Sequence, residues 1–345
     1  MALLQAVTDP IRYGVAVGRV RVLEGRMLPG ATYQRLLDAP DFEEQMRVLS
    51  DTVYGKFLEG AQTVEDVERA FDRALDDLYG FLVTASLPEP VIGFFRVTYD
   101  YANLKARLKA DRVGSTTDGL LVDLGTVPAD VFSGPATQMP HRFRTLYERL
   151  SPESGARGGG AESAVGGPWD EERVSAAVDS ALFAELTEYA KASSSSFLIG
   201  LAALEIDVAN VRTLMRARGR ERQAAEVRVL LFDGGALTPQ QLMLLYSRPI
   251  DVLAAALVAL PGPFKGVPSD DLADLARYDV LADDLVVRYL MRARMAAAGS
   301  EPVIGYVMAR QAEVTMVRTL LIGRMSGVPS EVLRRRLRVR YGRDA

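Results

Sequence analysis

The sequence predicts an all-α protein built from three similar helical domains. A motif of an acid, an asparagine and a base recurs three times at nearly equal spacing, which indicates a tandem triplication. Apolar residues recur at the period of a helix over long stretches. Signals for strands are few, and we expect the one short β-like run, residues 228–232, to be helix or loop.

The recurring motif sets the predicted domain boundaries. Its acids are 107 and 106 residues apart, and each is followed five positions later by a base. An asparagine lies three positions after the first two acids, where the third copy has Met316. The defining residues are Asp100, Asn103, Lys105, Asp207, Asn210, Arg212, Glu313 and Arg318. We therefore predict domains at residues 11–115, 116–228 and 229–341, the second with a Gly-rich insertion at 151–168.

Each predicted domain contains a pair of long helices. In the first domain, Thr63 and Asp66 form a sequence like a capping box before a run of apolar residues at helical spacing. Leu87-Pro-Glu-Pro90 ends that helix, because proline cannot continue it. The motif lies in the second helix of each pair. The other predicted helices span about 91–110, 169–191, 197–218, 269–298 and 303–324.

A short element that contains proline follows each helix pair. It is seen at residues 121–128, 231–239 and 325–329, and Met27-Leu-Pro29 near the start resembles it. The chain therefore begins and ends inside a repeat. We expect its two terminal segments to pack against each other.

The acids of the motif are placed within the apolar stripe of their helices. On a helix, Asp207 lies next to Asn210 and Leu214, so its carboxylate needs hydrogen-bond donors. Candidate donors are backbone N–H groups at a neighbouring helix start or, for Asp100, the side chain of Arg107. The architectural hypothesis is that acid and asparagine hold each helix to its neighbour. The alternative is that the acids act on a ligand.

Basic residues cluster where the motif helices end, and two interpretations stay open. They can be favourable charges at helix C-termini. If the three domains surround one axis, the same residues form a ring that suits an acidic partner. The candidate partner-binding rim consists of Arg107, Arg112, Arg216, Arg218, Arg220 and Arg324.

The composition argues against several classes of function. The formal net charge is −4, so nothing marks a nucleic-acid binder. The chain has no cysteine, which removes disulfides, thiolate metal sites and cysteine nucleophiles, and its single histidine, His141, removes most histidine-based catalysis and multi-histidine metal sites. We assign no catalytic, metal or cofactor-binding residue. Asp270-Asp-Leu-Ala-Asp274 matches a magnesium-diphosphate motif of all-helical isoprenoid synthases, but neither Asp76-Asp77 nor Asp283-Asp284 completes the pattern. We favour the structural interpretation, because Asp270 follows Ser269 at a helix start, where acids are favourable. No apolar run is long enough to span a membrane, and the N-terminus is unlike a signal peptide.

Four segments stand in a specific order and spacing: Leu49–Gly55, Asp100–Lys105, Leu204–Thr213 and Glu313–Pro329. Together they resemble one family, the C subunit of the prokaryotic V-type (A/V-type) rotary ATPase, which is related to the d subunit of the vacuolar enzyme. The resemblance covers nearly the whole chain. The chain departs from the pattern at Met316 and in the insertion at 151–168.

The resemblance implies a funnel-shaped, all-helical protein of three domains about a pseudo-three-fold axis. It implies a non-catalytic part of a larger complex, in single copy, at the cytoplasmic face of the cell membrane as a peripheral protein. Such a protein couples the central shaft, made of the D and F subunits, to the membrane proteolipid ring. The alternative is an all-helical repeat scaffold that binds a partner helix in its concave face.

Overall fold

The computed structural model describes residues 2–151 and 170–334, with the backbone alone described for residues 2–12. The predicted all-α fold class is confirmed: the described residues contain helices and connecting turns and no strand. The first eight α-helices are α1 (Ala2–Glu24), α2 (Gly30–Asp38), α3 (Phe42–Ser50), α4 (Gly55–Leu58), α5 (Val64–Thr84), α6 (Glu89–Val113), α7 (Asp130–Ser133) and α8 (His141–Leu150). The next eight are α9 (Glu171–Ser193), α10 (Ser196–Gly219), α11 (Ala224–Arg228), α12 (Pro239–Tyr246), α13 (Ile250–Ala259), α14 (Leu275–Met295), α15 (Glu301–Met325) and α16 (Ser330–Arg334).

The first long pair, α5 and α6, forms as the sequence predicts. Thr63 and Asp66 make both hydrogen bonds of a capping box at the start of α5. The apolar residues of α5 that repeat at helical spacing, among them Phe71 and Leu82, are buried. Helix α5 is separated from α6 by Ser86, whose φ is 55°, and by the prolines that follow it.

The second pair, α9 and α10, is divided by a serine turn. Ser194 has φ of 57°, and the Ser195 side chain accepts a hydrogen bond from the backbone N–H of Leu198. The short β-like run at 228–232 lies at the end of α11 and in the turn after it.

The third pair begins later than predicted. A 3₁₀ helix, Ser269–Leu272, precedes α14, and the Asp274 carboxylate accepts a hydrogen bond from the N–H of Arg277. The expected continuous helix from residue 269 to about 298 is therefore wrong. The reason is that Asp274 caps a new helix start instead of continuing an existing helix.

The chain divides into two compact units, Met1–Pro88 with Val280–Ala345, and Glu89–Asp279. In the first unit α15 packs against α1, α2, α3 and α5; in the second α9 packs against α6 and α10.

The predicted domains are defined by the repeat and remain a prediction; the insertion at 151–168 lies almost wholly outside the described residues. Within the described ranges, no helix is both apolar enough and long enough to cross a lipid bilayer.

Segments near the two termini pack against each other, as predicted. Arg324 on α15 donates a hydrogen bond to the carbonyl oxygen of Leu37 on α2, at 2.8 Å. Arg334 on α16 pairs with Asp38 at 3.3 Å. The first unit is thus closed by contacts between the start and the end of the chain.

Candidate functional site

The second motif copy holds a loop against α10. Asp207 is 1% exposed, and its carboxylate accepts hydrogen bonds from the N–H groups of Ala236 and Leu237 at 3.0 and 2.9 Å. Asn210 donates to the carbonyl oxygen of Phe232 and accepts from its N–H, at 2.8 and 2.7 Å. The loop leads into α12. Two buried side chains of one helix therefore satisfy the polar backbone groups of this loop.

The first copy makes the same contacts. The Asp100 carboxylate accepts from the N–H groups of Thr126 and Val127 at 2.9 and 3.3 Å, and from the Thr126 hydroxyl. Asn103 exchanges two hydrogen bonds with Val122, both at 2.9 Å. Arg107 is not the partner of Asp100: it pairs with Asp111 at 2.8 Å.

A glycine lies against the acid in both loops. A Cβ atom on Gly125 would lie 2.0 Å from Oδ1 of Asp100, and one on Gly235 would lie 2.2 Å from Oδ1 of Asp207. Neither distance is compatible with a side chain. These glycines belong to the motif and were not predicted from the sequence, although both stand shortly before the proline of the recurring element and could have been aligned.

The third copy binds a loop that lies far away in the sequence. Glu313 accepts from the N–H of Leu28 at 2.7 Å, so its loop is the N-terminal Met27-Leu-Pro29. The similar segment after its own helix, residues 325–329, does not take that place; the N–H of Val328 bonds instead to the carbonyl oxygen of Gly323. The motif is thus completed between the two ends of the chain.

The third copy also replaces the missing asparagine with other groups. Glu313 accepts a hydrogen bond from the Tyr54 hydroxyl at 2.8 Å and pairs with Arg310. The Arg310 guanidinium lies over the Tyr54 ring, 4.4 Å from its centroid. Burial raises the pKa of Glu313, while Arg310 and the donated hydrogen bonds oppose that shift.

Burial also changes the titration of the other two acids. It raises the pKa of Asp207 to about 6, against two backbone N–H groups that lower it. It raises the pKa of Asp100, with opposing contributions from Thr126 and Val127. All three carboxylates are held by donors of their own protein, so the geometry is that of an architectural contact.

The three bases of the motif pair with the first long helix of the following repeat. Lys105 pairs with Asp179 on α9 at 2.5 Å, and Arg212 pairs with Asp279 on α14 at 2.8 Å. The third base returns to the first repeat: Arg318 pairs with Asp72 on α5 at 3.1 Å. Each pair is partly exposed, so each contributes only about 0.2–1 kcal/mol.

Three of the six candidate rim arginines bind the ends of short helices. Arg107 donates to the carbonyl oxygens of Phe132, Ser133 and Gly134 at the end of α7, at 2.9–3.1 Å. Arg218 donates to those of Tyr246 and Arg248 at the end of α12. Arg324 does the same at the end of α2. The interpretation as charges at their own helix ends misses these partners, because the carbonyls lie between 25 and 287 residues away in sequence.

The other three rim arginines are exposed. Arg220 pairs with Glu172 at 3.2 Å, and Arg112 lies near the end of α6. Arg216 forms no ion pair or hydrogen bond with any residue in the described ranges. It lines an open cavity of about 590 Å³ together with Met215, Arg218, Gly219, Arg220, Ile250, Ala273, Asp274 and Leu275.

The acidic run Asp270–Asp274 does not form a cluster of metal ligands. Asp274 accepts the N–H of Arg277 as a helix cap. Across the residues that the structure describes, no three His, Cys, Asp or Glu side chains are grouped in a way that could hold a metal ion.

The sequence matches the protein family described as ATP synthase (C/AC39) subunit over residues 16–336. It is 27% identical to the C subunit of a V-type ATP synthase from Thermus thermophilus over 331 residues, which cover 90% of this chain and 94% of the relative. It is 23% identical to the C subunit of an A-type ATP synthase from Thermococcus onnurineus over 323 residues, 89% of this chain and 85% of the relative. A third such relative, from Thermococcus kodakarensis, is 24% identical over 339 residues, 93% and 89% of the two chains.

Proposed function

Because this chain belongs to the ATP synthase (C/AC39) subunit family, we propose that it is the non-catalytic rotor component that couples the central shaft, made of the D and F subunits, to the membrane proteolipid ring. It passes torque between ATP-driven rotation and ion transport. It has no cofactor of its own, binds no nucleic acid, and is present once per complex. It lies at the cytoplasmic face of the cell membrane as a peripheral protein.

The observation that carries this proposal is the order of the motif contacts. Each motif helix pairs through its base with the first long helix of the next repeat, and Arg318 pairs with Asp72 of the first. This order of pairs supports three similar domains, at 11–115, 116–228 and 229–341; we propose that they surround a pseudo-three-fold axis in a funnel. A part that transmits torque must resist twisting, and buried acids that hold loops between helices supply such resistance.

The rim arginines supply a candidate surface for the partners. Arg107, Arg218 and Arg324 bind carbonyl oxygens within the chain. Of the exposed Arg112, Arg216 and Arg220, Arg220 pairs with Glu172, while Arg216 has no ion pair or hydrogen bond with another described residue. Arg216 is therefore the one that we assign to an acidic partner.

Co-purification tests the proposed function. The purified chain is mixed separately with the D–F complex and with the detergent-solubilised proteolipid ring, at low and at high salt. We expect it to bind both, and the shaft complex to weaken as salt rises because exposed charges are screened. A chain that binds neither partner would instead support the repeat scaffold.

A further inference from the structure

Helix α13 differs in character from its two counterparts in the same chain. The second short α-helix after each motif-bound loop is α3, α8 or α13. Helix α3 has Glu43, Glu44 and Arg47, and α8 has five charged or histidine side chains. Helix α13, with the sequence IDVLAAALVA, has only Asp251. The three helices occupy the same place in the repeat, so two of them show what an outward face exposed to water contains.

The apolar character of α13 continues onto its exposed side. Leu253, Ala254 and Leu257 are buried and account for the inward face. Val252 is 45% exposed, and Ala255 and Ala259 are exposed as well. Leu244 on the adjacent α12 is 74% exposed. A helix whose exposed side is mostly apolar is normally covered. Helices α3 and α8 have charged side chains instead and do not need such a cover.

The arginine cavity lies at the N-terminal end of α13. Ile250, the first residue of the helix, lines the cavity together with Arg216, Arg218 and Arg220. Arg218 is bound to carbonyl oxygens and Arg220 to Glu172, so Arg216 provides the positive charge that has no counter-ion among the described residues. The only acid in the cavity lining, Asp274, is engaged as the cap of α14.

We infer that the exposed face of α13 and Arg216 together form a docking surface for an amphipathic α-helix of a partner protein, with carboxylates at the end that meets Arg216. This inference rests on the proposed function, in which that helix belongs to the shaft. Alanines at positions 255 and 259 are one turn apart and permit close approach of a second helix. Arginine beside an apolar centre is typical of protein interfaces.

The same face is less suited to a lipid surface. Helix α13 contains no aromatic residue and no lysine, the side chains that anchor a helix at a membrane surface. Small alanine side chains bury little area in a bilayer, while they favour packing against a helix.

The test compares Ala255→Glu and Arg216→Ala with the control Thr145→Glu. Thr145 is exposed on α8, the charged counterpart of α13, so the control adds the same charge at the equivalent element. Each variant of the full chain is titrated with the purified D–F complex. Melting temperatures are measured on the same samples; Arg216 and Ala255 are exposed, so we expect them to stay unchanged.

We expect Ala255→Glu and Arg216→Ala to weaken binding about tenfold or more, and Thr145→Glu to leave it unchanged. If the wild type binds the D–F complex and all variants bind equally, the docking surface is wrong while the proposed function stands. If the wild type does not bind the D–F complex, both the docking surface and the proposed function are wrong. Two further results would overturn the inference. In the first, the wild type binds anionic lipid vesicles, and Ala255→Glu abolishes that binding but not D–F binding. In the second, the wild type self-associates, and Ala255→Glu abolishes the self-association but not D–F binding.

Discussion

Glu313 accepts a hydrogen bond from the backbone N–H of Leu28, 2.7 Å away and 285 residues earlier in the chain. Asp100 and Asp207 make the equivalent hydrogen bonds with loops that lie 26–30 residues after them in the sequence. The third copy of the motif therefore exists only when both ends of the chain are assembled.

Removing the Glu313 carboxylate should be strongly destabilising. Glu313→Ala leaves Arg310, which is 9% exposed, as an unpaired buried charge next to Tyr54. We expect a loss of about 3–5 kcal/mol in the free energy of unfolding, measured by urea denaturation. The double variant Glu313→Leu with Arg310→Met should recover part of that loss, since no charge stays buried; equal loss in both would argue that the Leu28 contact alone matters.

The stability contributed at Asp207 should depend on pH. Its pKa is about 6 in the folded chain against 3.8 ordinarily, so the folded state binds more protons between these values. By linkage, the free energy of unfolding falls as pH rises from about 4 to about 6. Thermal melts of the wild type and Asp207→Asn across this range test the prediction. The difference between their melting temperatures should change between about pH 4 and pH 6 and stay constant above pH 6. A constant difference would contradict the raised pKa.

Asp207→Ala should lower stability at neutral pH by about 2 kcal/mol or more, because it leaves two backbone N–H groups without acceptors. The readout is the midpoint of thermal or urea unfolding. An unchanged midpoint would contradict the architectural role of the acid.

The glycines beside the acids should not tolerate a side chain. Gly235→Ala places a Cβ atom 2.2 Å from Asp207, so the loop must move and the hydrogen bonds to Asp207 weaken. We expect a loss of about 1–3 kcal/mol by calorimetry. Gly219→Ala is the control, because a Cβ atom there has no atom within 4 Å. Similar losses at both glycines would show that the effect is not steric.

Charge reversal should lower the stability of the fold at Arg218 but not at Arg216. Arg218→Glu removes hydrogen bonds to two carbonyl oxygens at the end of α12, and we expect it to cost about 1.5–3 kcal/mol of stability. Arg216→Glu removes no hydrogen bond and should leave the melting temperature unchanged. Equal destabilisation by the two variants would mean that Arg216 has a structural role too.

The long helices were predictable because their causes are local. The capping box at Thr63, the apolar spacing in α5 and the prolines after it act within a few residues of one another. The expected helix start at residue 269 was wrong because Ser269, Asp270 and Asp274 can each cap a helix, and the sequence pattern does not say which of them does.

The partners of the candidate site could be predicted only in part. Position on a helix placed Asp207 in the apolar stripe and implied backbone donors, but it did not identify Ala236 and Leu237. Two segments, residues 27–29 and 325–329, resemble the loops that the other two acids bind, and the structure shows that Glu313 binds the one at 27–29. Likeness of sequence cannot choose between two similar loops.

The sequence by itself determined that this protein is helical, that its motif occurs three times, and that each acid lies on a buried face. These properties follow from residue type and helical period, which are short-range. Tertiary structure decided which loop each acid binds and which helix each base meets. It also decided that Arg218 is bound inside the chain while Arg216 faces a cavity. Such choices depend on distances between residues far apart in sequence, and only the packed chain fixes those distances.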